Sequence, residues 1–304
     1  MSVVPISVLI LTFNEEANLP DCLASIRGWS DDIFVVDSFS TDRTLEIANE
    51  FGTRIVQHEF QYPAQQKNWA LDNLPFRHEW ILMLDADERV PGELQQEITE
   101  VVNQDGGGFD GFWMRYRLIF YGKWIRHCGW YPTWILRLVR FGKSRWEDRP
   151  VDEHPILEGR AGRLQNDLIH ENLRDMTFWI EKHNRYSTQN AHLYYDLLDS
   201  GALNGINPRL LGTQAERKRF IKQRIWPHLP ARSLWFFLYL YILRWGFLDG
   251  VHGLRFCLMH AIFQEFTSMK LWELKHYKQG APEGGINVPR VFRAAASQVD
   301  CRRK

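Results

Sequence analysis

The chain is poor in cysteine and carries no net charge, and both facts narrow its class. Four cysteines occur in 304 residues, Cys22, Cys128, Cys257 and Cys301, with no Cys-x-x-Cys spacing. That scatter suits reduced cytosolic thiols better than a disulfide frame or a zinc site. Lys and Arg number 37 and Asp and Glu 37, so no basic field is available for holding nucleic acid. No Gly-x-Gly-x-x-Gly follows the first apolar stretch, which removes the dinucleotide-binding hydride enzymes. No Gly-x-x-x-x-Gly-Lys-Ser/Thr is present, which removes the P-loop enzymes. There is no internal repeat and no low-complexity tract. The apolar run from Val3 to Leu11 lacks a basic flank and a small-residue cleavage site, so it reads as a first strand and not as a signal peptide. Aromatic residues, by contrast, are plentiful: 13 Trp and 19 Phe, as in proteins with sugar sites or membrane interfaces.

The stretch that organises the rest is Trp80 to Glu88. Trp80 to Leu84 is a continuous apolar run, as in a strand covered on both faces, and it delivers Asp85 and Asp87 at its carboxyl end. Around it the pattern alternates. Strands are expected at Ile6–Leu11, Ile33–Val36, Arg54–His58 and Trp80–Leu84. Helices are expected after Glu16 (Leu19, Leu23 and Ile26 inward), after the capping run Ser40-Thr41-Asp42, over Ala64–Leu74, and from Pro91 to Val102. The β-α-β-α-β-α-β-α order predicts an α/β fold with a mostly parallel sheet flanked by helices. Gly106 to Gly108 breaks it. Beyond lie β-like runs at Phe109–Tyr121, Trp134–Phe141 and Gly162–His170, then a long helix, Met176–Leu198. We expect residues 1–215 to form one domain in two parts, 1–105 and 106–215. A helical segment at 216–280 and a loose tail at 281–304 follow.

In an open α/β sheet ligands gather beyond the carboxyl ends of the strands. Here those ends place Thr12, Asn14, Glu15, Asp37, Ser38, Asp85 and Asp87 on one rim. An acidic rim without a glycine loop would hold a nucleotide by base and ribose hydrogen bonds and its diphosphate through a divalent metal, Mg²⁺ or Mn²⁺. Asp37 is placed to accept from a base N–H, Asp85 to reach ribose and the metal or its bound water, and Asp87 to bind the metal.

Four motifs in order, Val8–Glu16, Val35–Thr44, Gln65–Ala70 and Asp85-Ala86-Asp87-Glu88, resemble the family 2 glycosyltransferases. The branch they resemble acts on lipopolysaccharide core or other bacterial cell-envelope glycans. The resemblance implies a GT-A fold, a nucleotide-diphosphate-sugar donor, a divalent metal, and inversion at the anomeric carbon, with 1–105 binding the nucleotide sugar and 106–215 carrying acceptor and catalysis. It runs on, more thinly, through Trp134–Arg140, Val151–His154 and Leu168–His170. It implies a carboxylate base, for which Glu153 matches best with Asp152 in reserve. It also sets His170 beside the histidine that completes the metal site in many GT-A enzymes, although a hydrogen-bonded packing histidine is the plain alternative. Lys67 and Arg137 could meet phosphates, or be ordinary solvated cations; Gln66 and Asn68 could be helix-surface residues.

Leu234 to Leu243 is an unbroken apolar run between basic residues, too short to span a bilayer, which needs about 20 residues. It suits a helix lying in the membrane interface, with Phe256–Phe266 as a second block; two helices packed on each other or at a dimer interface are the alternative. The expected partners are thus a nucleotide-sugar donor, a saccharide or glycolipid acceptor and a membrane surface, with no nucleic acid. The expected place is the inner face of the cytoplasmic membrane. A sugar-1-phosphate nucleotidyltransferase would open with a glycine- and arginine-rich loop, which Thr12–Glu16 lacks. A non-catalytic nucleotide-sugar-binding scaffold remains the other alternative.

Overall fold

The computed structural model describes residues 3–148, 154–200, 220, 226 and 229–277. Asp152 and Glu153, and the expected tail at 281–304, lie outside them. Two compact units divide the chain, Met1–Asp175 with Leu240–Phe256, and Met176–Tyr239 with Cys257–Lys304.

In the first unit the strands are β1 Ile6–Thr12, β2 Asp32–Asp37, β3 Arg54–Gln57, β4 Trp80–Asp85, β5 Glu88–Arg89, β6 Gly111–Phe120, β7 Lys123–Trp124, β8 Trp134–Arg140, β9 Ser144–Trp146, β10 Pro155–Leu157 and β11 Ala161–Glu171. The main sheet runs β3-β2-β1-β4-β8-β6-β11-β5, with β7 on β6. Its first four strands pair in parallel. The apolar runs of β1 and β4 are buried at nearly every position, as the centre of a sheet covered on both faces requires. Beyond β4 the sheet is mixed: β8 is antiparallel to β4 and β6, whereas β11 is parallel to β6. This is a GT-A-type mixed sheet with flanking helices and a helical C-terminal region.

Helices α1 Leu19–Ile26 and α4 Gly92–Asn103 pack on one face of the sheet, while α3 Pro63–Asn73 packs on the other. α2, Thr44–Glu50, joins the first face through Ile47 and Ala48. The glycine break has a steric cause. Gly106 has φ +71°, and a Cβ there would lie 2.5 Å from the Trp80 ring, so the chain leaves α4 across the indole only because that position has no side chain.

In the second unit, Ala191, Tyr194 and Leu197 of α5 (Met176–Ser200) pack against Leu271 and Leu274 of the helix Gly250–His276. Lys270 Nζ donates to Asn184 O (2.7 Å), Ser187 Oγ (2.8 Å) and Thr188 Oγ1 (2.8 Å). Burial lowers its pKa. A helix at Arg232–Leu238 begins just before the run read as apolar and covers its first half. Among the described residues no single helix is long and apolar enough to cross a membrane, though the bent pair Arg232–Leu243 and Gly246–His276 passes on length and composition.

Candidate active site

The carboxyl end of β4 converges with β8 and β11. β8 runs antiparallel beside β4, which brings Arg137 under the Asp85–Glu88 turn. The Arg137 guanidinium, 10% exposed, donates to Asp85 Oδ2 and, at 2.6 Å, to Glu88 Oε1. Glu88 is buried, and its other oxygen accepts the Asp85 N–H at 3.0 Å. Loss of hydrating water on burial would push the Asp85 carboxyl up, but the charge of Arg137, then of Lys67 and His170, holds it at about 2. The same carboxylates raise the Arg137 pKa against the effect of burial. Arg137 is therefore committed through this nitrogen to two protein carboxylates. Those bonds use Nη2 alone.

β11 pairs antiparallel with β5, setting His170 opposite Glu88. His170 Nε2 lies 3.5 Å from Asp87 Oδ2, and its Nδ1 lies 3.9 Å from Glu88 Oε1. Burial alone would depress the imidazole, yet Asp87 and Glu88 overrule it and raise it to about 9. Asn172 Nδ2 donates to Asp87 Oδ2 at 3.1 Å, and the Glu171 N–H to the Asp87 carbonyl at 2.9 Å. Three carboxylates thus face one guanidinium and one imidazole, an arrangement that favours a further cation.

The residues fit a divalent ion in part. Asp87 supplies a hard oxygen and His170 an adjacent nitrogen. Mn²⁺ or Mg²⁺ can complete its shell with diphosphate oxygens and water. Asp85, expected as a further metal ligand, has Oδ2 bound by Arg137 while its side chain stays 43% exposed. Among the described residues no group of three or more His, Cys, Asp or Glu is arranged as a ready-made metal cage.

The β1 and β2 ends are stitched together. Asp37 is fully buried and accepts from Thr12 Oγ1 (3.0 Å), the Ser40 N–H (2.8 Å), the Ser40 hydroxyl and Gln57 Nε2 (3.3 Å). It anchors the 38–41 turn. The Thr12 hydroxyl is likewise spent on Asp37, so Thr12 braces the rim. Asn14, at φ +53°, receives the Thr41 N–H at 2.8 Å. Glu15 accepts from Asn18 Nδ2 at 2.8 Å and from Arg174, and burial raises its pKa in spite of them. Ser38 Oγ accepts from Gln66 Nε2 at 3.3 Å.

Gln66 is fully buried and also meets His58 Nδ1 at 2.7 Å, and Asn68 holds both backbone groups of Trp146 at 2.9 Å. Neither is a free helix-surface residue. Lys67 Nζ lies 5.3 Å from the centre of the Trp146 ring. Glu88, Asn172 and Arg174 also belong to this cluster. Glu88 had a signal, as the third acid of Asp85-Ala86-Asp87-Glu88; Asn172 and Arg174 act only through contacts far along the chain.

Residues 7–153 match the family model described as glycosyl transferase family 2. Over 103 residues the chain is 38% identical to an uncharacterized glycosyltransferase of Rickettsia bellii, a match covering 33% of this chain and 34% of that protein. The chain spans about a third of the length of the first curated relatives it matches. Over 287 residues it is 27% identical to the lipopolysaccharide core biosynthesis glycosyltransferase LpsC of Rhizobium meliloti, covering 91% of this chain and 95% of that one. Among solved structures it is similar to glucosyl-3-phosphoglycerate synthase of Mycobacterium tuberculosis, determined with Mn²⁺, UDP and glucosyl-3-phosphoglycerate. That match has a TM-score of 0.31 and 23% identity, over 38% of this chain and 44% of that one. The family 2 match thus takes in Asp85, Asp87, Glu88 and Arg137, the larger part of the candidate site.

Proposed function

We propose that this protein is an inverting, metal-dependent glycosyltransferase. It moves a sugar from a nucleotide-diphosphate donor to a lipid-linked or lipopolysaccharide-core-type acceptor, at the inner face of the cytoplasmic membrane. The observation that carries the reading is the meeting of Asp85, Asp87 and His170 at the end of β4 within a family 2 domain. The match to LpsC along most of the chain supports the acceptor class.

Asp87 and His170 would hold the divalent ion, with Asp85 beside them. When bound, that ion supplies charge neutralisation for the departing diphosphate. Arg137 keeps Asp85 ionised and, with Glu88, fixed, so the rim needs no rearrangement when donor arrives. The anchored turns at 12–15 and 38–41 shape the nucleotide end. Glu153, with Asp152 in reserve, takes the proton from the acceptor hydroxyl. The hydroxyl oxygen bonds to the anomeric carbon from the face opposite the diphosphate, whose bond to that carbon breaks. A carboxylate with an unperturbed pKa near ~4.3 is ionised at neutral pH and suited to this task.

The test is a thermal-shift panel of nucleoside diphosphates and their sugars with Mn²⁺, Mg²⁺ or EDTA. Ligand at about 100 times its Kd stabilises the native state by about 2.7 kcal/mol. One nucleotide should raise the melting temperature by several degrees with metal and not with EDTA. A flat response to every nucleotide and metal would sink the donor reading.

A further inference from the structure

The segment Ile242–Val251 is fixed to the catalytic unit yet exposes nearly all of its large apolar side chains. Leu243 is 70% exposed, Trp245 60%, Phe247 48%, Leu248 54% and Val251 60%. Scattered exposed apolar residues are ordinary; five within nine positions form a patch that marks an interaction surface.

This is a built turn. Asp249 is buried at its base and accepts the His127 N–H (2.9 Å) and the Arg126 N–H (3.3 Å), with His127 Nδ1 3.0 Å away. Lys123 Nζ donates to the Asp249 carbonyl at 3.0 Å, and the Cys128 N–H to the Arg244 carbonyl at 3.0 Å. Gly253 permits the tight return, because a Cβ there would lie 2.1 Å from the Gly246 carbonyl oxygen. Trp245 holds the left-handed conformation, φ +58°, which an aromatic residue adopts only where its surroundings compel it.

The rim of the patch is cationic. Lys123, Arg126, Arg244 and Arg255 are all exposed, while the one acid in 240–256, Asp249, is buried, and 121–133 contains none. A second copy docked face to face would bring these cations against their own equivalents. An anionic lipid surface complements both the apolar tip and its basic rim.

We infer that Ile242–Val251 is the membrane-inserting element of this protein, a shallow apolar wedge whose rim of Lys123, Arg126, Arg244 and Arg255 selects anionic phospholipid headgroups. The inference rests on the membrane-associated reading above and deepens it by naming the element and the lipid class.

The experiment is co-sedimentation of the full chain with vesicles of phosphatidylcholine alone, or mixed in equal parts with phosphatidylglycerol, over a range of salt. The protein should bind the anionic vesicles and leave the neutral ones. Trp245→Ser with Leu248→Ser should lower the partition at least about ten-fold. Arg126→Glu, a change on an exposed side chain, should weaken binding and flatten its salt dependence. The nucleotide thermal shift, read on each variant, reports folding and donor binding separately from lipid. Wild-type protein that binds anionic vesicles, with a double variant that binds equally well, would overturn the wedge and leave the membrane reading standing. Wild-type protein that binds neither vesicle would end both. A concentration-dependent dimer abolished by the double variant would assign the patch to self-association instead.

Discussion

Arg137 on β8 donates to Glu88 on β5 at 2.6 Å, and Glu88 is 1% exposed. The pair lies beneath the two aspartates of the site, so its integrity decides where Asp85 points.

Removing one partner of such a pair strands a buried charge, which costs about 3–5 kcal/mol. Arg137→Ala should lower the unfolding free energy by about that amount in urea. Arg137→Met combined with Glu88→Leu should recover much of it, since neither charge is then left behind. A single variant within about 1 kcal/mol of wild type would mean that solvent reaches Glu88 freely.

Asp87→Asn should remove the metal-dependent part of nucleotide stabilisation while the apoprotein melts near the wild-type temperature. The comparison is the thermal shift with Mn²⁺ against EDTA. Because a metal-ligating imidazole must be neutral and His170 is raised to about 9 without metal, ion binding should also release protons near neutral pH. Calorimetry in buffers of different ionisation enthalpy measures that release. Equal metal response in both proteins would take Asp87 out of the ion site.

Glu153→Gln keeps the shape of the side chain and removes its basicity. Donor binding should persist while transfer falls by about 10²–10⁴-fold, the usual contribution of a general base. Retained transfer would move the proton-accepting role to Asp152.

Asp32 links folding to acid. Burial would raise its pKa, but the Ser7 hydroxyl at 2.6 Å, the Arg77 N–H at 2.9 Å and Arg54 at 2.8 Å together hold it below the usual value. A carboxyl depressed in the folded state contributes stability that is present above its unfolded pKa, near ~3.9. That stability is lost as pH falls through the lower folded value. Asp32→Asn should therefore cost about 2 kcal/mol at neutral pH and flatten the stability loss below about pH 4. An unchanged acid limb would assign that loss to other carboxylates.

Local pattern was enough for much of this protein. The apolar run Trp80–Leu84 and the carboxylates after it mark a buried strand delivering Asp85 and Asp87 to a sheet edge, because strand burial and its end are written in consecutive residues. The alternation of β1 to α4 and the motifs at 8–16, 35–44, 65–70 and 85–88 were legible for the same reason. What only the tertiary structure decided are relations between residues far apart in the chain. β8, β6 and β11 show as apolar strands, but their mixed directions and order do not, because pairing depends on partners dozens of residues away. Asp37 and Gln66 look like available polar groups until the neighbouring turns fold over them. Arg137 looks like a free cation until antiparallel pairing sets it against Asp85, 52 positions earlier. Charge type is a property of the residue; what that charge is spent on is settled by whatever the fold places within reach.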